Sequence, residues 1–241
     1  MSAFFVGDVI TNAVICYSTR LTFLVKFSYH FMRTRVKICG FTRVEDAVCA
    51  ARLGVDAIGL VFYPPSPRHV GIEQAIEIVN ALPAFVSVVA LFVDEQESRI
   101  RDVLERVSID CLQFHGDESP EACRLYGKRY MKAVRMQEGI DISGLAQQYH
   151  DAAGLLLDAY HPGAKGGTGS RFDWDRIPEH CTLPIILAGG LDEDNAKQAI
   201  QEVRPYALDV SSGVEAEKGV KDALKMAAFI SEVNEGDRII I

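Results

Sequence analysis

The sequence predicts an α/β protein, a single (β/α)8 TIM barrel with a non-barrel N-terminal extension, and three observations point there. From Val36 onward, short β-rich apolar runs alternate with stretches of helical spacing. The runs are apolar almost throughout, as strands of a parallel sheet covered by helices are. Eight such units fill about 200 residues, which suits a closed barrel better than an open doubly wound sheet. A chain of 241 residues has room for two small domains, but no linker interrupts residues 33–241, so residues 32–241 read as one catalytic barrel.

Unit by unit, "VKIC" from Val36 gives way at Gly40 to the helical "RVEDAVCAARLG"; "DAIGLVF" from Asp56 is followed by "GIEQAIEIVNALP", "VSVVALFV" from Val86 by "EQESRIRDVLERV", and "DCLQFH" from Asp110 by "SPEACRLYGK". In the second half, "YMKAVR" from Tyr130 precedes "ISGLAQQYH" and "GLLLD" from Gly154 precedes a short piece near "DWDRIPEH". "PIILAGG" from Pro184 then precedes "DEDNAKQAIQEV", and "YALDVSS" from Tyr206 precedes the closing "VKDALKMAAFISEV". Two helices carry their own start signals: Ser119 with Pro120 in the first turn, and Asp192 ahead of a run of helix formers.

Hydrophobic residues make up 49% of the chain and charged residues 24%, which suits a globule with a sizeable core. A formal net charge of -8 repels phosphate-rich surfaces, so neither nucleic acid nor an anionic membrane is an expected partner. A small phosphorylated substrate stays compatible, provided that its charge is met locally by backbone amides, helix N-termini and one or two arginines. The cysteines Cys16, Cys39, Cys49, Cys111, Cys123 and Cys181 form no CxxC pair and no Cys/His spacing for zinc. They read as free thiols of a reducing compartment, the cytoplasm. Residues 1–31 are fairly apolar, but Asp8, Arg20 and Lys26 cut them into runs too short to span a bilayer. Without a basic start or a clear cleavage site they do not read as a secretory signal. They are expected to be a poorly ordered extension that adds no layer to the barrel, with Met32 an alternative start.

In such barrels the chemistry sits at the C-terminal ends of the strands, with phosphate held by the loops after strands seven and eight. There the sequence puts Cys39, then Tyr63 with Arg68, Asp94, Gln113 with His115, Arg135, Asp158, Gly189 with Gly190, and Asp209 with Ser211, Ser212 and Gly213. "AGGL" and "SSGVE" supply small residues whose amides can approach a ligand closely, followed by helix starts whose dipole favours an anion. Each alone is a common turn; together, at the two expected strands, they point to phosphate. A free cysteine is most often buried filler. Cys39 nevertheless ends strand one beside Gly40, where a thiolate of lowered pKa can serve as nucleophile or general base. Asp158 stands ahead of "AYHPGAKGGTGSRFDW", a glycine-rich stretch of the kind that folds over a pocket as a lid, and an acid under a lid is a candidate proton donor. Arg68, in a loop stiffened by prolines on both sides of Ser66, suits a carboxylate clamp. His115 is kept as a pocket-lining candidate.

Taken in order, "KICGFT", "GLVFYPPSPR", "LQFHG", "LLLD" with "GGTGSRFDW", "LAGGL" and "RPYALDVSSGVE" resemble the phosphoribosylanthranilate isomerase family over about residues 35–233. The resemblance implies an Amadori rearrangement of N-(5'-phosphoribosyl)anthranilate in tryptophan biosynthesis, with neither a metal nor an organic cofactor. By similarity, Cys39 falls on the general base that removes the C2 proton of the sugar and Asp158 on the general acid that protonates the furanose ring oxygen. Arg68 falls on the residue that holds the anthranilate carboxylate, and Gly190, Ser212 and Gly213 lie in the phosphate-binding loops. Asp209 sits in a matching motif with a less defined role. A functional association with indole-glycerol-phosphate synthase, to which the family is fused in some organisms, is a further implication; the oligomeric state is not legible. The chain departs from the pattern in its N-terminal extension and in Phe41, where an aliphatic residue is more usual.

Three other readings compete. The histidine-pathway aminoaldose isomerase looks like two similar half-barrels with acids on strands one and five, whereas this chain has Cys39 at the first and no obvious internal repeat. A metal-dependent ribulose-phosphate epimerase needs a His/Asp ligand set that these strand ends lack. A non-catalytic barrel that binds phosphorylated ligands could keep "AGGL" and "SSGVE" without Cys39, Asp158 and Arg68.

Overall fold

The computed structural model describes residues 33–159 and 172–240. The expected extension over residues 1–31, and residues 160–171 of the stretch read as a lid, lie outside them. Eight parallel strands close in chain order into one barrel: β1 (Arg35–Cys39), β2 (Ala57–Val61), β3 (Ser87–Phe92), β4 (Cys111–Phe114), β5 (Arg129–Arg135), β6 (Gly154–Asp158), β7 (Ile185–Leu187) and β8 (Ala207–Val210). The seam pairs β1 with β8, from Arg35 opposite Ala207 to Ile38 opposite Val210. Around it run α1 (Val44–Leu53), α2 (Ile72–Asn80), α3 (Glu97–Arg106), α4 (Pro120–Arg124), α5 (Ile142–Gln148), α6 (Ala196–Val203) and α7 (Ala223–Ile240).

The two-residue period of a strand decides what each side chain meets. In β1, Val36 and Ile38 point outward into the large core shared with the helices. Lys37 and Cys39 therefore point to the barrel axis, where Cys39 packs with Val61, Leu91 and Val93. This is why the strands read as apolar on both faces. Gly59 of β2 lies beside Cys39 in register, and a Cβ there would stand 2.6 Å from the Cys39 sulfur. The glycine leaves the room that the thiol occupies. At the seam's open end, the Asp237 carboxylate of α7 accepts hydrogen bonds from the Thr34 amide at 2.9 Å and the Thr34 hydroxyl at 2.6 Å, tying the last helix to the first strand.

Local signals acted as read at α4, where the Ser119 hydroxyl accepts from the Ala122 amide ahead of Pro120. Elsewhere they were displaced. Asp192 does not start α6: the Asn195 side chain accepts from the Asp192 amide and the Asp192 side chain from the Asp194 amide, closing a turn, and the helix begins at Ala196. Val220 and Lys221 do not belong to the last helix; they form β10 (Val220–Lys221), antiparallel to β9 (Glu215–Glu217), and Asp222 accepts from the Leu224 and Lys225 amides to open α7. After β6, the described residues hold only a 3-10 turn, Trp174–Arg176, where the sixth helix of the regular pattern would stand.

Candidate active site

The C-terminal ends of the strands surround a cavity of about 480 Å³, lined by Cys39, Arg68, Gln113, His115, Asp158, Gly189, Gly190, Asp209, Ser211 and Ser212 among others. Of the residues to which the sequence reading gave a catalytic or binding role, Gly213 is not on that wall; Asp94 and Arg135, placed only at strand ends, are not on it either. A Cβ on Gly213 would fall 2.0 Å from the Leu191 carbonyl oxygen, so this glycine lets the loops after β7 and β8 press together behind the cavity. Tyr63 also lines the cavity. Arg135 turns away to donate to the His115 carbonyl at 3.0 Å.

Gly189 and Gly190 both have positive φ, +82° and +67°, the left-handed region that favours glycine. Close packing enforces the first as well, since a Cβ on Gly189 would lie 2.3 Å from the Ala159 amide nitrogen and 2.8 Å from an Asp158 carboxylate oxygen. The helix dipole expected directly behind this turn is not there, because α6 starts six residues past Gly190, at Ala196. Behind β8 stands only the three-residue 3-10 turn Ser212–Val214. What the two loops offer an anion is their own backbone amides.

Two polar chains cross the cavity. In the first, the Gln113 Nε2 donates to His115 Nδ1 at 3.0 Å, and His115 Nε2 meets Asp158 Oδ2 at 3.1 Å. An amide nitrogen can only donate, so in this arrangement Nδ1 is bare and Nε2 carries the proton toward Asp158. Gln113 Oε1 is buried without a partner. In the second, Lys37 Nζ donates to Asp209 Oδ2 at 2.7 Å across the β1–β8 seam, both side chains being buried. Burial raises the pKa of the Cys39 thiol; the nearby Lys37 ammonium works against the rise and the Asp209 carboxylate adds to it. Burial likewise raises the Asp209 carboxyl, only partly offset by Lys37.

Arg68 is held from behind. Its Nε and Nη2 donate to the two carboxylate oxygens of Glu215, each at 2.7 Å, in the parallel fork that fixes a guanidinium plane. Lys221 Nζ donates to Glu215 Oε1 at 2.9 Å, to the Cys39 carbonyl at 2.7 Å and to the Ser211 carbonyl at 3.1 Å. Burial alone would raise the Glu215 carboxyl, but Arg68 and Lys221 together hold it below its ordinary range. Gly40, at φ +85°, leaves the space that the Arg68 side chain covers: a Cβ there would be 2.5 Å from Arg68 Cδ. Phe41 points away into the core, its ring 5.7 Å from Lys221 Nζ, so its bulk supports that lysine rather than crowding the thiol.

Sequence reasoning missed Lys37, Glu215 and Lys221. A lysine two residues before Cys39 in a strand was a usable signal, because strand period puts both on one face. Glu215 and Lys221 meet across the β9–β10 hairpin, whose turn glycine, Gly219, has φ +84°; the helical look of the residues that follow hid it.

Residues 36–232 match the family described as N-(5'phosphoribosyl)anthranilate (PRA) isomerase. A relative named N-(5'-phosphoribosyl)anthranilate isomerase, from Nitrosococcus oceani, is 59% identical over 203 residues, 84% of this chain and 98% of the relative. Among solved structures, phosphoribosyl anthranilate isomerase from Thermotoga maritima is similar with a TM-score of 0.78 at 40% identity, over 84% of this chain and 99% of its own. A phosphoribosyl anthranilate isomerase in complex with reduced 1-(o-carboxyphenylamino)-1-deoxyribulose 5-phosphate gives 0.72 at 38% identity, over 84% and 99%.

Proposed function

Since the chain belongs to the phosphoribosylanthranilate isomerase family, we propose that Asp158 and Cys39 are the proton donor and proton acceptor of its reaction. The chain is an isomerase that converts N-(5'-phosphoribosyl)anthranilate into 1-(o-carboxyphenylamino)-1-deoxyribulose 5-phosphate, the third step of tryptophan synthesis from chorismate. The rearrangement needs a proton delivered to the furanose ring oxygen and a proton removed from the neighbouring C2'. One observation carries the assignment: Cys39 and Asp158 line the same cavity, on β1 and β6, and the two strands between them around the barrel are those that carry the glycine and serine turns.

Asp158 gives its proton to the ring oxygen, the C1'–O bond breaks with its electron pair moving to that oxygen, and the anthranilate nitrogen closes a C1'=N iminium. The Cys39 thiolate then takes the C2' proton, and the C–H pair becomes the C1'=C2' bond as the nitrogen recovers its lone pair. The resulting enol loses its hydroxyl proton and gains one at C1' to give the ketose. Turning the Gln113 amide over would let its buried Oε1 accept from His115 Nδ1–H, leaving Nε2 to accept from a protonated Asp158. In that state the neutral acid holds the proton for the first step, so Gln113 and His115 keep it where it is used.

Arg68 receives the anthranilate carboxylate on the edge that Glu215 leaves free. The amides of Gly189, Gly190, Ser211 and Ser212 take the phosphate, with Gly213 holding their loops together, and Asp209 faces the pentose. Residues 32–241 are the catalytic barrel. No helix among the described residues is long and apolar enough to cross a membrane. A cytoplasmic site of action, alongside the indole-glycerol-phosphate synthase that consumes the product, fits the free thiols. The test is turnover, followed by fluorescence, in Cys39→Ala and Asp158→Asn. Each is expected to lose about 10²–10⁴-fold in kcat while still binding the product analogue. Full turnover in either folded variant would remove that residue from the chemistry.

A further inference from the structure

We propose that Lys37 is a positioning residue for this reaction: its buried ammonium, anchored by Asp209, is the charge beside Cys39 that favours the thiolate against burial inside the barrel. The inference rests on Cys39 being the base.

The geometry is specific. Lys37 and Cys39 are alternate residues of one strand and so share the axial face, which brings the Lys37 ammonium near the Cys39 sulfur. Lys37 is 4% exposed and Asp209 7%, and they sit opposite each other in the β1–β8 register with Nζ 2.7 Å from Oδ2. Burial would strip the lysine proton; Asp209 and Cys39 together more than offset that, so the group stays an ammonium. As a purely structural pair this is a poor device, because a buried ion pair is often no better than apolar residues of similar volume. Asp209 Oδ1 is also buried with no partner, a cost that a packing role does not explain.

The thiol needs such help. Burial holds its proton on, and the charged groups that face it are few: Lys37 on its own strand, Asp209 on β8, Lys221 on β10 and Arg68 in the loop after β2. Lys221 and Arg68 share the one carboxylate of Glu215, and Asp158 with His115 lies on the same cavity wall. Lys37 is the largest single influence that favours the thiolate. When the thiol ionises, the S–H pair stays on sulfur and the proton leaves through the cavity mouth. When the thiolate then takes the C2' proton, the S–H bond forms again, and the ammonium keeps its own three protons throughout.

The experiment follows alkylation of the Cys39 peptide by iodoacetamide against pH, by mass spectrometry, together with the pH profile of kcat/KM. In Lys37→Met the alkylation midpoint is expected to rise by about 1 to 3 pH units. In Lys37→Arg, which keeps the positive charge, it is expected to stay within about half a pH unit of the parent. Rescue by the arginine separates a charge effect from loosened packing, which would move both variants the same way. If Lys37→Met folds poorly, Lys37→Met/Asp209→Leu removes the whole pair and is still expected to raise the midpoint, because the ammonium outweighs the carboxylate at the sulfur. An unmoved midpoint in Lys37→Met, or the same shift in Lys37→Met and Lys37→Arg, overturns the inference. A midpoint that moves in Lys37→Met while the acid limb of kcat/KM stays put supports Lys37 as the charge beside the thiol and overturns Cys39 as the base.

Discussion

Replacing Gly59 by alanine sets a methyl group against the thiol of Cys39. The added Cβ would stand 2.6 Å from the sulfur, 3.0 Å from Cα and 3.1 Å from Cβ of Cys39, where ordinary contact begins at 3.4 Å. The sulfur must therefore retreat by about 0.8 Å, the difference between 3.4 and 2.6 Å. Val61, Leu91 and Val93 already pack around it, so the retreat carries it off the line to its substrate carbon. Overpacking of this kind costs about 1–3 kcal/mol of stability, which a barrel this size can absorb. Misplacing a reacting group by about 1 Å costs on the order of 10²-fold in rate. The assay is steady-state kcat and KM beside a urea unfolding curve. The expected outcome is a folded enzyme with kcat down by about two orders of magnitude and KM changed little. A Gly59→Ala enzyme with kcat within about threefold of the parent would refute the claim that the position of this sulfur limits the reaction.

Three further outcomes are expected. Glu215→Gln leaves Arg68 with a weaker partner and a less fixed plane, so KM should rise by about tenfold with kcat nearly kept; a fall in kcat alone would show that Arg68 does not clamp the substrate. Asp151 accepts from Arg124 at 2.7 and 3.1 Å and from the Tyr130 hydroxyl at 2.7 Å, and chiefly the Arg124 hydrogen bond lowers its pKa to about 2. Its folded pKa being depressed, its contribution, about 1 kcal/mol after solvent screening, is complete above the ordinary value of 3.8 and is lost as pH falls through about 2. The stability gap to Asp151→Asn in urea unfolding should close over that window, and a gap that is constant with pH would contradict it. A chain of residues 32–241 should match the full chain in melting temperature and kcat; a drop of more than about 5 °C would show that residues 1–31 contribute to the fold.

Much of the barrel was legible because β/α alternation is written locally. Each strand's apolar run and each following break report their own geometry, and a parallel barrel then fixes which end holds the chemistry. That logic placed Cys39, Arg68, Gln113, His115, Asp158, Asp209 and the Gly189 and Ser211 turns around one cavity. What escaped was non-local. Lys37 looks like a solvated charge until β8 brings Asp209 to it from 172 residues away. Glu215 and Lys221 have meaning only once the β9–β10 hairpin folds back over Cys39, and the helical pattern starting near Val220 concealed that strand pair. Asp192 is a good helix cap by type, but Asn195 competed for the same turn and moved the helix start to Ala196. Gly213 was read as part of a phosphate-binding loop; that its backbone also packs too close to Leu191 for a side chain is revealed only by the fold.

The most direct test is a crystal structure of this chain with reduced 1-(o-carboxyphenylamino)-1-deoxyribulose 5-phosphate. The phosphate should lie on the amides of the Gly189–Gly190 and Ser211–Ser212 turns, with the Cys39 sulfur about 3.5 Å from the sugar's second carbon and the Asp158 carboxyl reaching its fourth oxygen. A pentose bound with that carbon turned toward Asp158, or with the thiol beyond contact distance of it, would contradict the assignment of donor and acceptor.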